Sequence, residues 1–175
     1  MNRRDHIKRL MTLGAAAAAP GALWAGTAQA EEMAVKSERA FRYKRSVSHW
    51  TVTDLEWEEL CPWLADQGIE AVDLVGPENW HHLKKHGLDS SMCNGAELNL
   101  VDGFIHEEFE GVLHERYSAM IPRVAKAGYE NLICFSGNRR GLSEEEGLEQ
   151  AVKALLPMVK LAEAHGVVLQ MELFN

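Results

Sequence analysis

Glu172 stands near the carboxyl end of the apolar run Gly166-Val-Val-Leu-Gln-Met-Glu-Leu-Phe-Asn175. A short apolar run of this kind reads as a strand buried in a parallel sheet. In parallel α/β folds, ligands and metals gather at the carboxyl ends of the strands. A carboxylate placed there can hold a divalent ion or move a proton. One carboxylate rarely makes a site, so its partners are expected on later strands, and the sequence stops at Asn175 before any of them. From composition alone, the plainer reading of Glu172 is a strand-end carboxylate in a salt bridge.

Other polar groups fall at the same ends of earlier runs. Gly137-Asn138-Arg139-Arg140-Gly141 follows the fourth run, and the Arg139 guanidinium can grip a substrate carboxylate through two parallel hydrogen bonds. The alternative is a solvated turn leading into Ser143. It is not a phosphate loop, because no Lys-Ser/Thr pair follows. His49 and Trp50 close the first run, where a ring can stack on or hydrogen-bond a small substrate, or simply cap the strand. His82 and His86 have ligand-like spacing but no Glu to complete a His-Glu-x-x-His motif, so His81, His82 and His86 read as surface residues of an outer helix. Glu78 belongs to a loop after the second run and is a weak candidate. His106 and His114 flank a polar loop after the third run, with no role assigned. The three cysteines, Cys61, Cys93 and Cys134, form no Cys-x-x-Cys pair, and Cys93 and Cys134 read as small buried strand residues.

The elements that must position these groups repeat one pattern: an amphipathic helix, a glycine, then a short apolar run. The glycines are Gly68, Gly87, Gly128 and Gly166. The runs are Ile69-Glu-Ala-Val-Asp-Leu-Val75, Leu88-Asp-Ser-Ser-Met-Cys93, Tyr129-Glu-Asn-Leu-Ile-Cys-Phe135 and Val167 to Leu173. A glycine after each helix supplies the left-handed cap, and the alternation implies βα units and a parallel sheet. Ser143 with Glu146 predicts a capping box, followed by an apolar face of Leu148, Ala151, Val152, Leu155, Leu156, Val159 and Ala162. Leu113, Tyr117, Met120, Ile121 and Val124 form such a face in the preceding helix. Thr53 with Glu56 predicts a cap for a helix running to about Asp66, with a kink at Pro62. Asn79 caps a short helix from Trp80 to His86, and an opening strand is expected from Phe41 to about Ser48. The result is five strands and four helices in one α/β domain. Two architectures fit: part of a (β/α)8 TIM barrel, or a five-stranded flavodoxin-like doubly wound sheet. A complete barrel takes about 250 residues, so the chain would be five-eighths of one.

Residues 1–30 read as a twin-arginine signal peptide: Arg3-Arg4, an apolar Ala/Gly-rich stretch from Leu10 to Gly26, and Ala28-Gln29-Ala30 as the cleavage site. Residues 31–40 read as a flexible leader, and the expected localisation is periplasmic. Removing residues 1–30 lowers the basic count from 18 to 14 and the acidic count from 26 to 25. The net charge moves from −8 to about −11, which disfavours nucleic acid as a partner. Pro20 and Gly21 interrupt the first apolar stretch and no later one is long enough, so no stable membrane span is expected.

Three strings carry a resemblance: Val72-Asp-Leu-Val-Gly-Pro-Glu-Asn-Trp80, Ile133-Cys-Phe-Ser-Gly-Asn-Arg139 and Met171-Glu-Leu-Phe-Asn175. In this order and spacing they resemble the hydroxypyruvate isomerase-like branch of the xylose isomerase-like TIM-barrel superfamily of sugar phosphate isomerases and epimerases. The resemblance covers about Arg42 to Asn175. It implies an aldose-ketose isomerase or epimerase of small hydroxy-carbonyl compounds that works through an enediolate. It also implies a divalent metal (Mg, Mn or Zn) held by a Glu of strand five, an Asp and a His or Gln of the next strands, and a Glu of strand eight. Glu172 matches the first of these as metal ligand and proton-transfer group; the other three have no counterpart here. The chain alone is therefore expected to bind metal weakly or not at all, and to be inactive. Two other readings stand beside this one. One is a non-catalytic half-barrel that self-associates through its open edge; the other is a metal-dependent phosphodiesterase of the endonuclease IV-like barrels.

Overall fold

A computed structural model describes residues 43–174. The signal peptide expected at 1–30, the leader at 31–40 and the start of the first expected strand at Phe41 lie outside the described residues. The elements are β1 (Ser46–Ser48), α1 (Trp57–Asp66), β2 (Ala71–Val75), α2 (Trp80–Lys85), β3 (Asp89–Cys93), α3 (Glu110–Ala127), β4 (Asn131–Phe135), α4 (Glu144–His165) and β5 (Val168–Glu172). Short 3₁₀ turns at His49–Thr51 and Glu107–Phe109 join them.

All neighbouring strands pair parallel, in the order β1-β2-β3-β4-β5. This order separates the two expected architectures. A doubly wound sheet must reverse direction at a switch point, whereas a barrel adds each strand beside the last. Right-handed crossovers in one direction put every helix on the same face of the sheet. The sheet is that of a TIM barrel, and the flavodoxin-like alternative is excluded.

Helix endings explain why the pattern was readable. Gly68, Gly87, Gly128 and Gly166 all take positive φ, between 68° and 81°, and the next strand starts within three residues. In α3 the buried residues are Leu113, Tyr117, Met120, Ile121 and Val124, the expected face. The Ser143–Glu146 capping box forms in both directions. Val72 and Val75 of β2, Cys93 of β3, and Leu132 and Cys134 of β4 meet these helices in one apolar cluster.

Several expectations are corrected. Thr53 does not cap α1; the helix begins at Trp57, and Glu56 holds the cap position without a side-chain bond. The chain has already turned there, through Val52 N–H to His49 O at 3.0 Å and Thr51 Oγ1 to Ser48 O at 2.7 Å. Asn79 occupies the cap position of α2 but makes no side-chain cap bond. In α4 the buried residues are Gly147, Ala154, Met158 and Ala162, while Leu148, Val152 and Leu156 are 65%, 57% and 51% exposed. α4 meets α3 through this face: His114 Nε2 lies 2.6 Å from Ala154 O, and Ser118 Oγ lies 3.7 Å from Met158 Sδ. The larger apolar stripe is turned outward. No helix among the described residues is long and apolar enough to cross a membrane.

Candidate functional site

The strands alternate between the helix-packed core and the opposite, open face. Val47, Val72, Leu132, Cys134, Leu169 and Met171 pack with the core. Their neighbours Ser48, Asp73, Ile133, Phe135, Gln170 and Glu172 therefore line the open face, which in a barrel is the interior.

Glu172 is exposed on that face, in register with Phe135. Its position is set by Ser136, a buried residue just past β4. Ser136 N–H donates to Glu172 O at 3.1 Å, and Ser136 Oγ accepts from Phe174 N–H at 2.9 Å. Phe174 also meets Phe135 edge-on, at 5.3 Å between centroids. A one-residue slip of β5 would turn Glu172 toward the helices, and this tie opposes it. A carboxylate at a fixed strand end, open to the interior, can accept and return a proton.

Asp73, which sequence reasoning passed over, makes the most connected polar cluster on the same face. Its Oδ2 accepts from Ser48 Oγ at 3.2 Å, and its Oδ1 accepts from Ser91 Oγ in a short contact. Three strands thus converge on one carboxylate. The next residue, Leu74, has φ 61°, and the β2–β3 register shifts on both sides of Asp73. This irregularity lets Val72 and Val75 both reach the core while Asp73 stays on the open face. The visible signal was a lone acid inside an apolar run; Ser48 and Ser91 carried none.

The loop after β3 is strapped across the end of β4. Phe104 N–H donates to Phe135 O at 3.1 Å, Ile105 N–H to Ser136 O at 3.0 Å, and Asn138 N–H to Val101 O at 2.9 Å. Buried His106 accepts from Gly103 N–H at Nδ1 (3.2 Å), so Nε2 carries the proton toward Asn138 O at 2.9 Å. Arg140 pairs with Asp102 of the same loop and lies over Phe109. Arg139 is exposed, and its Nε donates to Leu142 O at 2.7 Å, folding it over its own turn.

His49 stacks on Trp57 at 4.3 Å between centroids, and Trp57 stacks in turn on His82 at 5.9 Å. Burial pushes the His49 pKa below its usual value. His82 lies 3.6 Å from Glu58. His49 is thus committed to a column with Trp57 of α1 and His82 of α2, and among the described residues no hydrogen bond or ring contact joins it to Glu172 or Arg139. Glu78 is exposed and folds back over Gly76.

Among the described residues, no group of three or more His, Cys, Asp or Glu is placed to hold a metal ion. The residues present therefore do not fit a divalent metal by themselves. The cysteines are free and buried; burial raises the Cys93 thiol to about 11 and the Cys134 thiol to about 12. A cavity of 510 Å³ lined by Lys44, Arg45, Asp89 and Glu130 opens at the amino-terminal ends of the strands, away from Glu172.

No family profile matches the chain, and no curated protein matches it. Solved structures do. A family 2 AP endonuclease from Brucella melitensis is similar at 17% identity and TM-score 0.63, over 76% of this chain and 56% of that one. The 3-keto-D-glucoside 4-epimerase YcjR from E. coli is similar at 16% identity and TM-score 0.60, over 77% and 57%. The IolI protein, solved with a bound zinc atom, is similar at 13% identity and TM-score 0.59, over 75% and 51%. The chain spans just over half the length of these proteins. At such identities the likeness speaks to architecture, and the architecture is that of a TIM barrel over five of its strands.

Proposed function

We propose that this chain is the five-strand portion of an isomerase or epimerase barrel that acts on small hydroxy-carbonyl compounds, in the manner of hydroxypyruvate isomerases. The observation that carries the reading is the placement of Glu172: exposed on the open face at the carboxyl end of β5 and fixed there by Ser136. Moving a carbonyl between adjacent carbons requires a base to take a proton from one carbon and an acid to return it to the other. Glu172 supplies one such group. The epimerase likeness supports this choice of chemistry. Arg139 and His49 are proposed as substrate contacts that must leave their present partners to act. Export to the periplasm through residues 1–30 belongs to the same proposal.

The described residues do not assemble a metal site, so no metal step is assigned to them. The chain alone is expected to bind Mn²⁺ weakly and to show no turnover. Calorimetry of the full chain with Mn²⁺, paired with a hydroxypyruvate isomerisation assay, tests this. Weak binding that Glu172→Gln abolishes, without turnover, is the expected result. Micromolar binding indifferent to Glu172→Gln would refute the assignment of Glu172. The AP endonuclease likeness keeps a phosphodiesterase as the second reading. A net charge of −8 disfavours approach to a phosphate backbone, and tight DNA binding in moderate salt would reverse the order.

A further inference from the structure

α4 carries two apolar sides, and this chain covers one of them. Ala154 and Met158 meet His114 and Ser118 of α3, and Gln150 and Lys153 bond Glu110 on the same flank. At about 100° per residue, the exposed Leu148, Val152 and Leu156 lie about half a turn around the helix from that flank. α3 leads into β4, so the stripe points the other way, past β5, which is the last strand of the sheet. β5 has a free edge on that side. Val168 N–H donates to Glu130 O at 2.7 Å and Glu172 O accepts from Ser136 N–H at 3.1 Å, so these alternate residues bond toward β4. Leu169 and Met171, between them, turn their N–H and C=O groups outward, and no strand pairs with them among the described residues.

We infer that the α4 stripe and the β5 edge form one interface, and that its occupant is a second copy of this chain related by a two-fold axis perpendicular to the sheet. Such an axis pairs the two β5 edges antiparallel and keeps both α4 helices on the same side of one continuous sheet. The spacing closes. A right-handed crossover from β4 to β5 sets α4 over the gap between them. Across a β5 pair at the usual strand separation of about 4.8 Å, the two α4 axes come about 10 Å apart, within the range at which helices pack. The helix is also complementary to itself in this orientation. With the axis at Val152, Leu148 faces Leu156 of the partner subunit, and Glu145 faces Lys160 of the partner subunit. Among the described residues neither Glu145 nor Lys160 has an ion pair or hydrogen bond within the chain, so both are free to make this contact. A parallel pair would instead set like charges together at each end. The same axis leaves Glu172 and Glu172 of the partner subunit on one open face. The dimer does not depend on the isomerase reading, and its test does not involve Glu172.

The test uses the full chain with single added cysteines, since the native Cys61, Cys93 and Cys134 are buried. Val152→Cys sits on the proposed axis and should form a disulfide with its own copy on mild oxidation. Leu148→Cys should not, because the two copies of that position stand about eight residues, or about 12 Å, apart along the helices, beyond the reach of about 7 Å between Cα atoms. Mixing Leu148→Cys with Leu156→Cys should restore crosslinking, now between the two variants. Sedimentation supplies the second readout: Glu145→Lys and Lys160→Glu should each raise the dimer dissociation constant by about fivefold, and the double exchange should recover it. All these positions are exposed, so the fold should survive each change. A chain that sediments as a monomer at every concentration overturns the inference. So does equal self-crosslinking of Val152→Cys and Leu148→Cys, which would mark non-specific association through the stripe.

Discussion

Adding one methyl group at Gly103 should dislodge the strap that covers the end of β4. A Cβ built there would lie 2.4 Å from Gly137 N, Phe135 O and Ser136 C. All three are backbone atoms, so no side chain can swing aside. The loop must lift, and five hydrogen bonds go with it: the three main-chain bonds at 2.9–3.1 Å and the two made by the His106 ring. At about 1 kcal/mol each, partly replaced by water, the loss comes to about 3–5 kcal/mol. That is a large share of the about 5–15 kcal/mol that holds a domain folded. Urea unfolding of the full chain, followed by circular dichroism, reads it directly. With a slope near 2 kcal/mol/M, the Gly103→Ala midpoint should fall by about 1.5–2.5 M. Gly111 is the control, since it lies in the first turn of α3 with nothing within 4 Å of an added Cβ. Gly111→Ala should stabilise by about 0.5–1 kcal/mol, the opposite sign for the same chemical change. A Gly103→Ala midpoint within about 0.5 M of the wild type would show that the strap yields without breaking, and would refute the reasoning.

Two further outcomes are expected. Burial lowers the folded-state pKa of His49 from its reference of 6.5, so as pH falls the unfolded chain takes up this proton first. The His49 contribution is therefore complete above 6.5 and is lost as pH drops toward the folded value; in urea midpoints measured between about pH 5 and 8, His49→Phe should flatten that decline, and an unchanged curve would contradict it. The outward stripe of Leu148, Val152 and Leu156 should drive self-association, so sedimentation should show a lower mass when all three are changed to Gln, and identical profiles would place the association elsewhere.

Local signals carried most of the fold. The four cap glycines, the Ser143–Glu146 box and the α3 face each depend on neighbours within a few residues, and each was readable for that reason. The face of α4 was not. Its large apolar stripe dominates the periodicity, but packing against α3 is decided by which side lets two helices come close, and that is the side of Ala154 and Met158, which meet His114 and Ser118. Barrel and doubly wound sheet share the same local syntax, and only the strand order distinguishes them. At the site, Glu172 was legible because a charge at the end of an apolar run is conspicuous. Asp73 becomes a cluster only when β1 and β3 bring Ser48 and Ser91 beside it, and that requires the register. The same holds for the bonds of His106 to Asn138 and of Ser136 to Phe174, which span 32 and 38 residues. Arg139 shows the reverse case: a suggestive residue type whose nearest acceptor is its own turn.

The column of His49, Trp57 and His82 gives this chain a built-in optical reporter. The indole lies nearly parallel to both imidazoles, with interplanar angles of 12° and 11°. An excited indole loses its energy by passing an electron to a stacked imidazolium, and much less readily to a neutral ring. Trp57 should therefore darken as His49 gains a proton, while the buried Trp80 and the exposed Trp50 keep their own steadier emission. Any ligand that draws His49 out of the column would brighten Trp57, so occupancy at the end of β1 can be followed by light alone, without a label.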